Sequence, residues 1–329
     1  MSTLQMQAVV AQAYGGPEVL SIQEVSKPQP KANEILIQIK VIPVTTADTM
    51  IRTGIPRFSR LMLGLTKPKN PFPGTNFAGE VVAVGNKVEK FKLGDAVFGE
   101  TALNFGAHAN YVCLPVDGMV LHKPEELTYE QVASICDGPL TSINFLKLLG
   151  EIKAGQQILI NGAAGALGSA AVQLAKYYGA TVTAVGSSGS KDLAMSLGAD
   201  HFIDYTKKDF TENHNQYDII YDTVGKSSFS KAKPALKSYG RYLSPVLSLP
   251  LLFQMLWTAK FGNKKALFSA TGMMPVPKLK ELVQELLPLF VNGNLKTVID
   301  RRYSLEQIAE AHRYVDSGRK KGNVIIEMS

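Results

Sequence analysis

The sequence has few of the features that mark secreted, membrane-spanning or nucleic-acid-binding proteins. Its 329 residues include only 2 cysteines, Cys113 and Cys136, which excludes a disulfide framework and favours a reducing compartment. The N-terminus lacks the basic and apolar segments of a signal peptide, so we expect a cytoplasmic protein. The most apolar stretch, Val246 to Ala259, is too short to span a bilayer.

Long runs of like charge are also missing. The net charge is +7, but the basic residues lie in short groups of two or three, such as Lys207 with Lys208 and Lys264 with Lys265. Nucleic-acid-binding tails carry runs of five or six like charges, so we expect solvated surface lysines and no nucleic-acid partner.

The spacing of apolar residues predicts an α/β protein with two kinds of domain. Short alternating strands separated by glycine and proline predict a β-rich domain over 1–125, and repeated strand–helix units predict a doubly wound parallel sheet over 126–272. Mixed helices and strands follow over 273–329. The predicted strands of the first domain are Gln7–Ala11, Glu34–Val41, Phe77–Val84, Ala96–Gly99 and Ala107–Leu114.

A loop of small residues joins the first predicted strand of the parallel sheet to its helix. The loop begins at Gly162 and has the spacing Ala163-x-Gly165-x-x-Gly168, with alanine in place of the first glycine of the strict pattern. Such a turn brings backbone N–H groups against a pyrophosphate at a helix N-terminus, because small residues leave room for it. The loop therefore predicts a dinucleotide site.

The next strand predicts which dinucleotide is bound. An NAD site usually has an acidic residue at its end, but Thr181–Val185 is followed by Ser187, Ser188 and Lys191. Hydroxyls and a lysine suit a 2′-phosphate, so NADPH is the predicted cofactor. An ordinary polar loop is the alternative interpretation of these three residues.

Seven segments spread along the chain carry a resemblance to a known family. They are Gly74–Val88, Phe91–Val97, Ala163–Gly168, Leu197–Asp200, Ile203–Tyr205, Asp222–Gly225 and Gly322–Ile325. Together they identify the chain as a member of the medium-chain dehydrogenase/reductase superfamily, in its zinc-free quinone oxidoreductase-like branch, and the resemblance covers essentially the whole chain. It implies a GroES-like catalytic domain, completed by the C-terminal segment, a Rossmann domain that binds NADPH, and commonly a homodimer formed by the Rossmann sheets.

The family's zinc ligands do not occur at the matching positions. Thr45, Thr75, Asn76 and Asp137 stand where zinc-binding members carry two cysteines and a histidine–glutamate pair. Zinc needs three or four converging thiolate, imidazole or carboxylate ligands, so we expect no metal.

The resemblance also implies roles for individual residues. Thr45 and Asp48 would lie near the nicotinamide and the substrate, and tyrosine is frequent in the family where this chain has Met50, so a tyrosine proton donor is not expected there. The cofactor would be bound by Thr141, Gly162, Gly165, Ala166, Leu167, Ser187, Ser188, Lys191, Tyr205, Thr223, Val224, Ser244 and Asn323.

The expected substrate is a small apolar carbonyl compound or a quinone. Without a metal, a simple carbonyl oxygen is weakly polarised, whereas a quinone or an α,β-unsaturated carbonyl delocalises the charge left by hydride addition. Thr45, Thr46 and Arg52 are candidate donors to the substrate oxygen. Asp48 either moves a proton or is a buried carboxylate bonded to a nearby turn.

Two other functions stay open, a zinc-independent alcohol or aldehyde dehydrogenase and a non-catalytic NADPH-binding sensor or scaffold. The apolar stretch from Pro245 to Trp257 has three interpretations: a buried helix or dimer surface, a lining for the substrate, or a peripheral membrane contact. Membrane contact is the least expected of the three, and peripheral at most.

Overall fold

The computed structural model describes residues 4–328 and shows two compact units. The predicted domain ranges 1–125 and 273–329 also include residues 1–3 and 329, which lie outside the described residues. The first unit contains the chain up to Asp137, Pro275–Val283 and the chain from Ile299 onward. The second contains Gly138–Met274 and Gln284–Val298. The domain limits expected from the sequence, 125/126 and 272/273, remain predictions, and the two units are divided at other residues.

The chain contains fifteen strands within the described residues. They are β1 Gln5–Ala11, β2 Leu20–Ser26, β3 Glu34–Val44, β4 Asn76–Val84, β5 Ala96–Glu100, β6 Tyr111–Pro115, β7 Met119–His122, β8 Gln157–Asn161, β9 Thr181–Gly186, β10 His201–Asp204, β11 Tyr217–Asp222, β12 Leu236–Leu243, β13 Lys265–Leu267, β14 Ile299–Ser304 and β15 Asn323–Glu327.

The α-helices and one π-helical segment lie between these strands. They are α1 Thr46–Thr53, α2 Arg60–Leu63, α3 Tyr129–Ala133, α4 Gly138–Ile143, the π-helical Asn144–Leu149, α5 Ala166–Tyr177, α6 Lys191–Ser196, α7 Phe229–Ala232, α8 Leu249–Lys260, α9 Val276–Val291 and α10 Ile308–Asp316. Among residues 4–328, none of the helices combines the length and the hydrophobicity that crossing a bilayer requires.

The first unit is built around a mixed sheet with the order β14-β15-β3-β4-β5-β7, in which β6 also pairs with β3. The C-terminal strand β15 lies antiparallel to β3, with Ile326 opposite Ile42. These side chains join Ile37 and Phe77 in one buried core. The end of the chain therefore supplies an internal strand of this sheet.

The second unit contains a parallel sheet with the order β10-β9-β8-β11-β12-β13. Its central strand β8 buries Ile158, Leu159 and Ile160 completely, as expected for a sheet that is covered on both faces. The strand order changes direction between β8 and β11, and in such sheets ligands bind beyond the carboxyl ends of the strands at this point. The structure thus confirms the predicted fold class of a β-rich domain with a doubly wound parallel-sheet domain.

Candidate functional site

The loop between β8 and α5 is shaped by two tight glycines. Gly162 has a φ of +80°, and a Cβ there would lie 2.2 Å from Cγ2 of Val224. A Cβ on Gly168 would lie 2.1 Å from the carbonyl oxygen of Gly162. The turn therefore uses the glycine that precedes Ala163, which explains why alanine is tolerated at the first position of the pattern.

Gly165 has a different role, because it leaves open space. It is the N-cap of α5 with a φ of −72° and a ψ of 178°, which any residue adopts. A Cβ added there would meet only the carbonyl oxygen of Gly162, at 3.5 Å. With no side chain over the first turn, the N–H groups of Ala166 and Leu167 are accessible to an anion at the positive end of the helix dipole. This cradle fits the pyrophosphate of a dinucleotide.

The ends of the neighbouring strands are tied together by hydrogen bonds. The buried carboxylate of Asp222 accepts bonds from Asn161 Nδ2 and from the Tyr242 hydroxyl, both at 2.9 Å. Thr223 Oγ1 donates to the carbonyl of Asn161 at 2.7 Å, and Val224 is exposed beside it. Thr223 and Val224 therefore lie at the carboxyl end of β11, beside the glycine loop.

Helix α4 lies against the start of α5. A Cβ on Gly138 would be 2.6 Å from the carbonyl oxygen of Ala166, and Ser142 Oγ donates to the carbonyl of Leu167 at 2.9 Å. Thr141 thus lies on a short helix that contacts the loop. Ser244 lies buried at the end of β12, where its backbone N–H donates to the carbonyl of Leu267 at 3.1 Å.

The ends of β9 and β10 bring together the residues predicted for the 2′-phosphate. Ser187, Ser188 and Lys191 follow β9, and Tyr205 follows β10 with its backbone N–H bonded to the carbonyl of Gly186 at 3.1 Å. Ser188, Lys191 and Tyr205 are exposed. The structure therefore places all four at one edge of the sheet.

An acidic residue that the sequence reasoning missed lies at the same edge. Asp204 ends β10 opposite Gly186 and accepts hydrogen bonds from the Ser188 hydroxyl and from Thr206 N and Oγ1. The bonds from Ser188 and Thr206 lower the pKa of Asp204 to about 2. Residues 187–191, which follow β9 in the sequence, include no carboxylate, whereas the parallel register brings Asp204 from β10 to the same end of the sheet.

In the first unit, Thr45 and Asp48 form a capping box at the start of α1. Asp48 N donates to Thr45 Oγ1 at 3.0 Å, and Thr45 N and Oγ1 donate to Asp48 Oδ2 at 2.8 and 2.7 Å. Thr75 Oγ1 donates to Asp48 Oδ1 at 3.4 Å. Both carboxylate oxygens of Asp48 are therefore bonded to neighbouring turns, which agrees with its structural interpretation.

Arg52 is fully buried on the same helix. Its Nη1 donates to the carbonyl of Gly15 at 2.6 Å, and its Nη2 lies 2.5 Å from Asp316 Oδ2 of α10. These bonds already engage both terminal nitrogens, so the structure places Arg52 as an anchor of α1. Its predicted role as a donor to substrate stays a prediction.

A second group missed from the sequence lies in the first unit, where Glu100, Asp137 and Lys320 interact electrostatically with one another or with Asp48. Burial, with Asp137 and Asp48 nearby, raises the pKa of Glu100 to about 8. Burial also raises the pKa of Asp137 to about 6, although Lys320 opposes the shift. Burial lowers the pKa of Lys320. The sequence marks Asp137 only as a position where zinc-binding members carry a metal ligand, and no sequence pattern marks Glu100 or Lys320.

The positions that match zinc ligands carry the wrong donors. They present the hydroxyls of Thr45 and Thr75, the amide of Asn76 and the carboxyl of Asp137. Within residues 4–328 no three histidine, cysteine, aspartate or glutamate residues are grouped so that they could hold a metal ion. Thiolate and imidazole ligands are thus lacking at these positions, and the residues do not fit zinc.

Asn323 belongs to the first unit. It is buried at the start of β15, opposite Ile299 of β14. Its predicted approach to the nicotinamide stays a prediction.

Two sequence families match the chain. The family described as alcohol dehydrogenase GroES-like domain matches residues 31–125, and the one described as zinc-binding dehydrogenase matches residues 197–326. The chain is 32% identical to 2-methylene-furan-3-one reductase of Solanum lycopersicum, over 95% of this chain and 76% of that protein. It is also 32% identical to quinone oxidoreductase of Sus scrofa, over 95% of each chain.

A solved structure has the same fold. Escherichia coli quinone oxidoreductase complexed with NADPH superposes with a TM-score of 0.85 and 26% identity, over 98% of this chain and 99% of that one.

Proposed function

Because the chain belongs to the quinone oxidoreductase-like branch of the medium-chain dehydrogenase/reductase superfamily, we propose that it uses NADPH to reduce a quinone or an α,β-unsaturated carbonyl compound without a metal ion. The observation that carries this proposal is the open first turn of α5, at the point where the strand order of the parallel sheet changes direction. Relatives that share about a third of its residues are named quinone oxidoreductase and 2-methylene-furan-3-one reductase, which supports the substrate class.

NADPH supplies the hydride, and the chain's own residues bind and orient it. We propose that the N–H groups of Ala166 and Leu167 hold the pyrophosphate and that Thr141, Thr223, Val224 and Ser244 complete the nucleotide site. Ser187, Ser188, Lys191 and Tyr205 would surround the 2′-phosphate. Lys191 is the cation of this group, and it is exposed as phosphate binding requires.

Reduction of a quinone or an enone also needs a proton at the product. We propose that the group formed by Glu100, Asp137 and Lys320 holds that proton, since a carboxyl whose pKa is raised towards neutrality can carry one at physiological pH. Thr45 and Asp48 would fix the start of α1 beside it, because the Thr45 hydroxyl already donates to Asp48. Arg52 would position the same helix through Asp316.

The homodimer and the cytoplasmic location expected from the sequence stay proposals. The two other functions, a zinc-independent alcohol dehydrogenase and a non-catalytic sensor, are less favoured by the named relatives. They make different predictions in the same assay.

The test follows the absorbance of NADPH and NADH with the chelator-treated protein against quinones, enones and simple aldehydes. We expect turnover of NADPH with a quinone or an enone, unchanged by chelator. Turnover with aldehydes alone would indicate the alcohol dehydrogenase, and saturable NADPH binding without any turnover would indicate the sensor. Activity that returns only when zinc is added would contradict the metal-free proposal.

A further inference from the structure

The helix α8 of the second unit carries an apolar face that its own unit leaves exposed. Within α8 only Leu251 and Thr258 are buried, so the interpretation of this stretch as a helix buried within the fold is wrong. The ring centroids of Trp257 and Phe261 lie 4.7 Å apart. The α8 face, as we call it, is formed at helical spacing by Leu249 (66% exposed), Phe253 (70%), Leu256 (64%) and Trp257 (66%), and is extended by Phe261 (53%), which follows the helix.

All charged residues in the segment of the chain around this face are basic. From Thr223 to Met274 there is no aspartate or glutamate, although the stretch contains eight lysine and arginine residues. Lys237 pairs with Asp218 and Arg241 pairs with Glu151. Within residues 4–328 no ion pair involves the remaining six, which are Lys226, Lys231, Lys233, Lys260, Lys264 and Lys265.

Hydrogen bonds place several of these lysines at the rim of the α8 face. Gln254 Nε2 of α8 donates to Ser230 Oγ at 2.7 Å, which brings Lys231 of α7 beside the helix. Lys265 Nζ donates to the backbone carbonyl of Thr258, which places a second unpaired lysine against α8. Lys260 ends α8 and is exposed. An apolar, aromatic face is therefore bordered by positive charge.

We propose that the α8 face docks the protein on an anionic lipid surface. Aromatic and aliphatic side chains on one face of a helix enter the interface between headgroups and acyl chains, and lysines beside them are attracted to anionic headgroups. The charge distribution favours this occupant over a second copy, because a symmetric contact through the α8 face would bring the same lysines of both chains together without any carboxylate from this stretch. The proposal is independent of the reaction that the protein catalyses.

Trp257 makes the test specific, because it is the only tryptophan of the chain. The full-length protein is titrated with vesicles of phosphatidylcholine alone or with added phosphatidylglycerol. We expect a blue shift of tryptophan emission and co-sedimentation with the anionic vesicles only, and we expect 0.5 M salt to weaken both through screening. No shift and no co-sedimentation with anionic vesicles would overturn the proposal.

Variants separate the apolar contribution from the basic one and keep Trp257 as the probe. We expect Phe253→Ser with Leu256→Ser to weaken anionic-vesicle binding by more than about tenfold, since each side chain loses its burial in the lipid interface. We expect Lys231→Gln with Lys260→Gln to weaken it by about fivefold per lysine. The matched controls on exposed first-unit positions, Leu93→Ser with Leu103→Ser and Lys87→Gln with Lys90→Gln, should bind as the unmodified chain does.

The same variants distinguish the competing occupant. Light scattering and thermal melts are measured without lipid, and all variants should melt as the unmodified chain does because the substituted side chains are exposed. If the unmodified chain is a dimer and the Phe253→Ser, Leu256→Ser variant is a folded monomer, the α8 face is covered by a second copy and the lipid proposal is wrong. Equal vesicle binding by the α8 and control variants would also contradict it.

Discussion

At the scale of single residues, Glu100, Asp137 and Lys320 of the first unit have shifted pKa values and interact electrostatically with one another or with Asp48. Two carboxyls have raised pKa values and the ammonium has a lowered one, and burial is the largest cause in each case. Charged groups are usually kept out of such surroundings because burial costs free energy. Perturbed groups of this kind concentrate at functional sites, which is why we assign proton handling to them.

The raised pKa of Glu100 predicts a stability that depends on pH. Between about pH 4.5 and about pH 8 the folded chain retains a proton that the unfolded chain releases. The free energy of unfolding should therefore fall as pH rises through this window, by on the order of 5 kcal/mol. We expect Glu100→Gln to remove most of this loss in thermal melts from pH 5 to pH 8. The exposed control Glu89→Gln should keep the slope of the unmodified chain, and an unchanged slope in Glu100→Gln would contradict the prediction.

Lys191 tests the choice of cofactor. Its exposed ammonium follows Ser187 and Ser188 at the end of β9, and removing it should weaken NADPH binding by roughly tenfold while leaving NADH binding unchanged. Titration of Lys191→Ala with both cofactors, by fluorescence or calorimetry, measures the two dissociation constants. Lys153→Ala, which removes an exposed lysine elsewhere in the second unit, is the control. Equal weakening of NADPH and NADH would mean that Lys191 does not contact the 2′-phosphate.

At the scale of elements, the junction of β8 and α5 separates two requirements for glycine. Gly168 is required for the fold, because a Cβ there would overlap the carbonyl oxygen of Gly162. The fold does not require Gly165, because a Cβ there finds open space and unstrained backbone angles, so we propose that this glycine serves the ligand. Small residues can thus be needed for opposite reasons within one loop.

This difference predicts a contrast between two alanine variants. Gly165→Ala should melt close to the unmodified chain but bind NADPH at least about tenfold more weakly, because its methyl group occupies the space of the pyrophosphate. Gly168→Ala should lose about 1–3 kcal/mol of unfolding free energy as well as binding. Thermal melts and NADPH titrations of both variants measure this. If Gly165→Ala binds NADPH normally, the cofactor does not use the first turn of α5.

At the scale of the whole molecule, residues far apart in the chain complete the first unit. Arg52 of α1 bonds to Asp316 of α10, and β15 inserts between β14 and β3. Arg52 is buried, whereas the Asp316 side chain is 34% exposed. Leaving Arg52 without its partner should therefore lower the free energy of unfolding more than leaving Asp316 without its partner.

The asymmetry predicts the outcome of a double-mutant cycle. Asp316→Asn leaves a buried cation unpaired and should cost about 3 kcal/mol, whereas Arg52→Met leaves a partly hydrated carboxylate and should cost less. The double variant should be no less stable than Arg52→Met alone. Denaturant unfolding of the four proteins gives the coupling free energy. Additive losses would show that the pair does not act as a unit.

The sequence by itself determined the features that depend on local spacing. Residues that are neighbours in the sequence specify the apolar strand β8, the small-residue loop and the amphipathic helices. The parallel-sheet unit and its dinucleotide loop could therefore be predicted. Local spacing failed where the chain reverses quickly. The predicted strand Ala107–Leu114, for example, begins only at Tyr111.

Only the tertiary structure decided which side chains that are far apart in the sequence lie in the same environment. Asp204 lies opposite Gly186 through strand register, Asp316 lies beside Arg52, and Glu100 interacts electrostatically with Asp137. The exposure of the α8 face was decided in the same way, because its apolar composition suits a buried helix equally well. Burial, charge pairing and pKa depend on neighbours that folding brings together. They therefore cannot be predicted from the periodicity of residues along the chain.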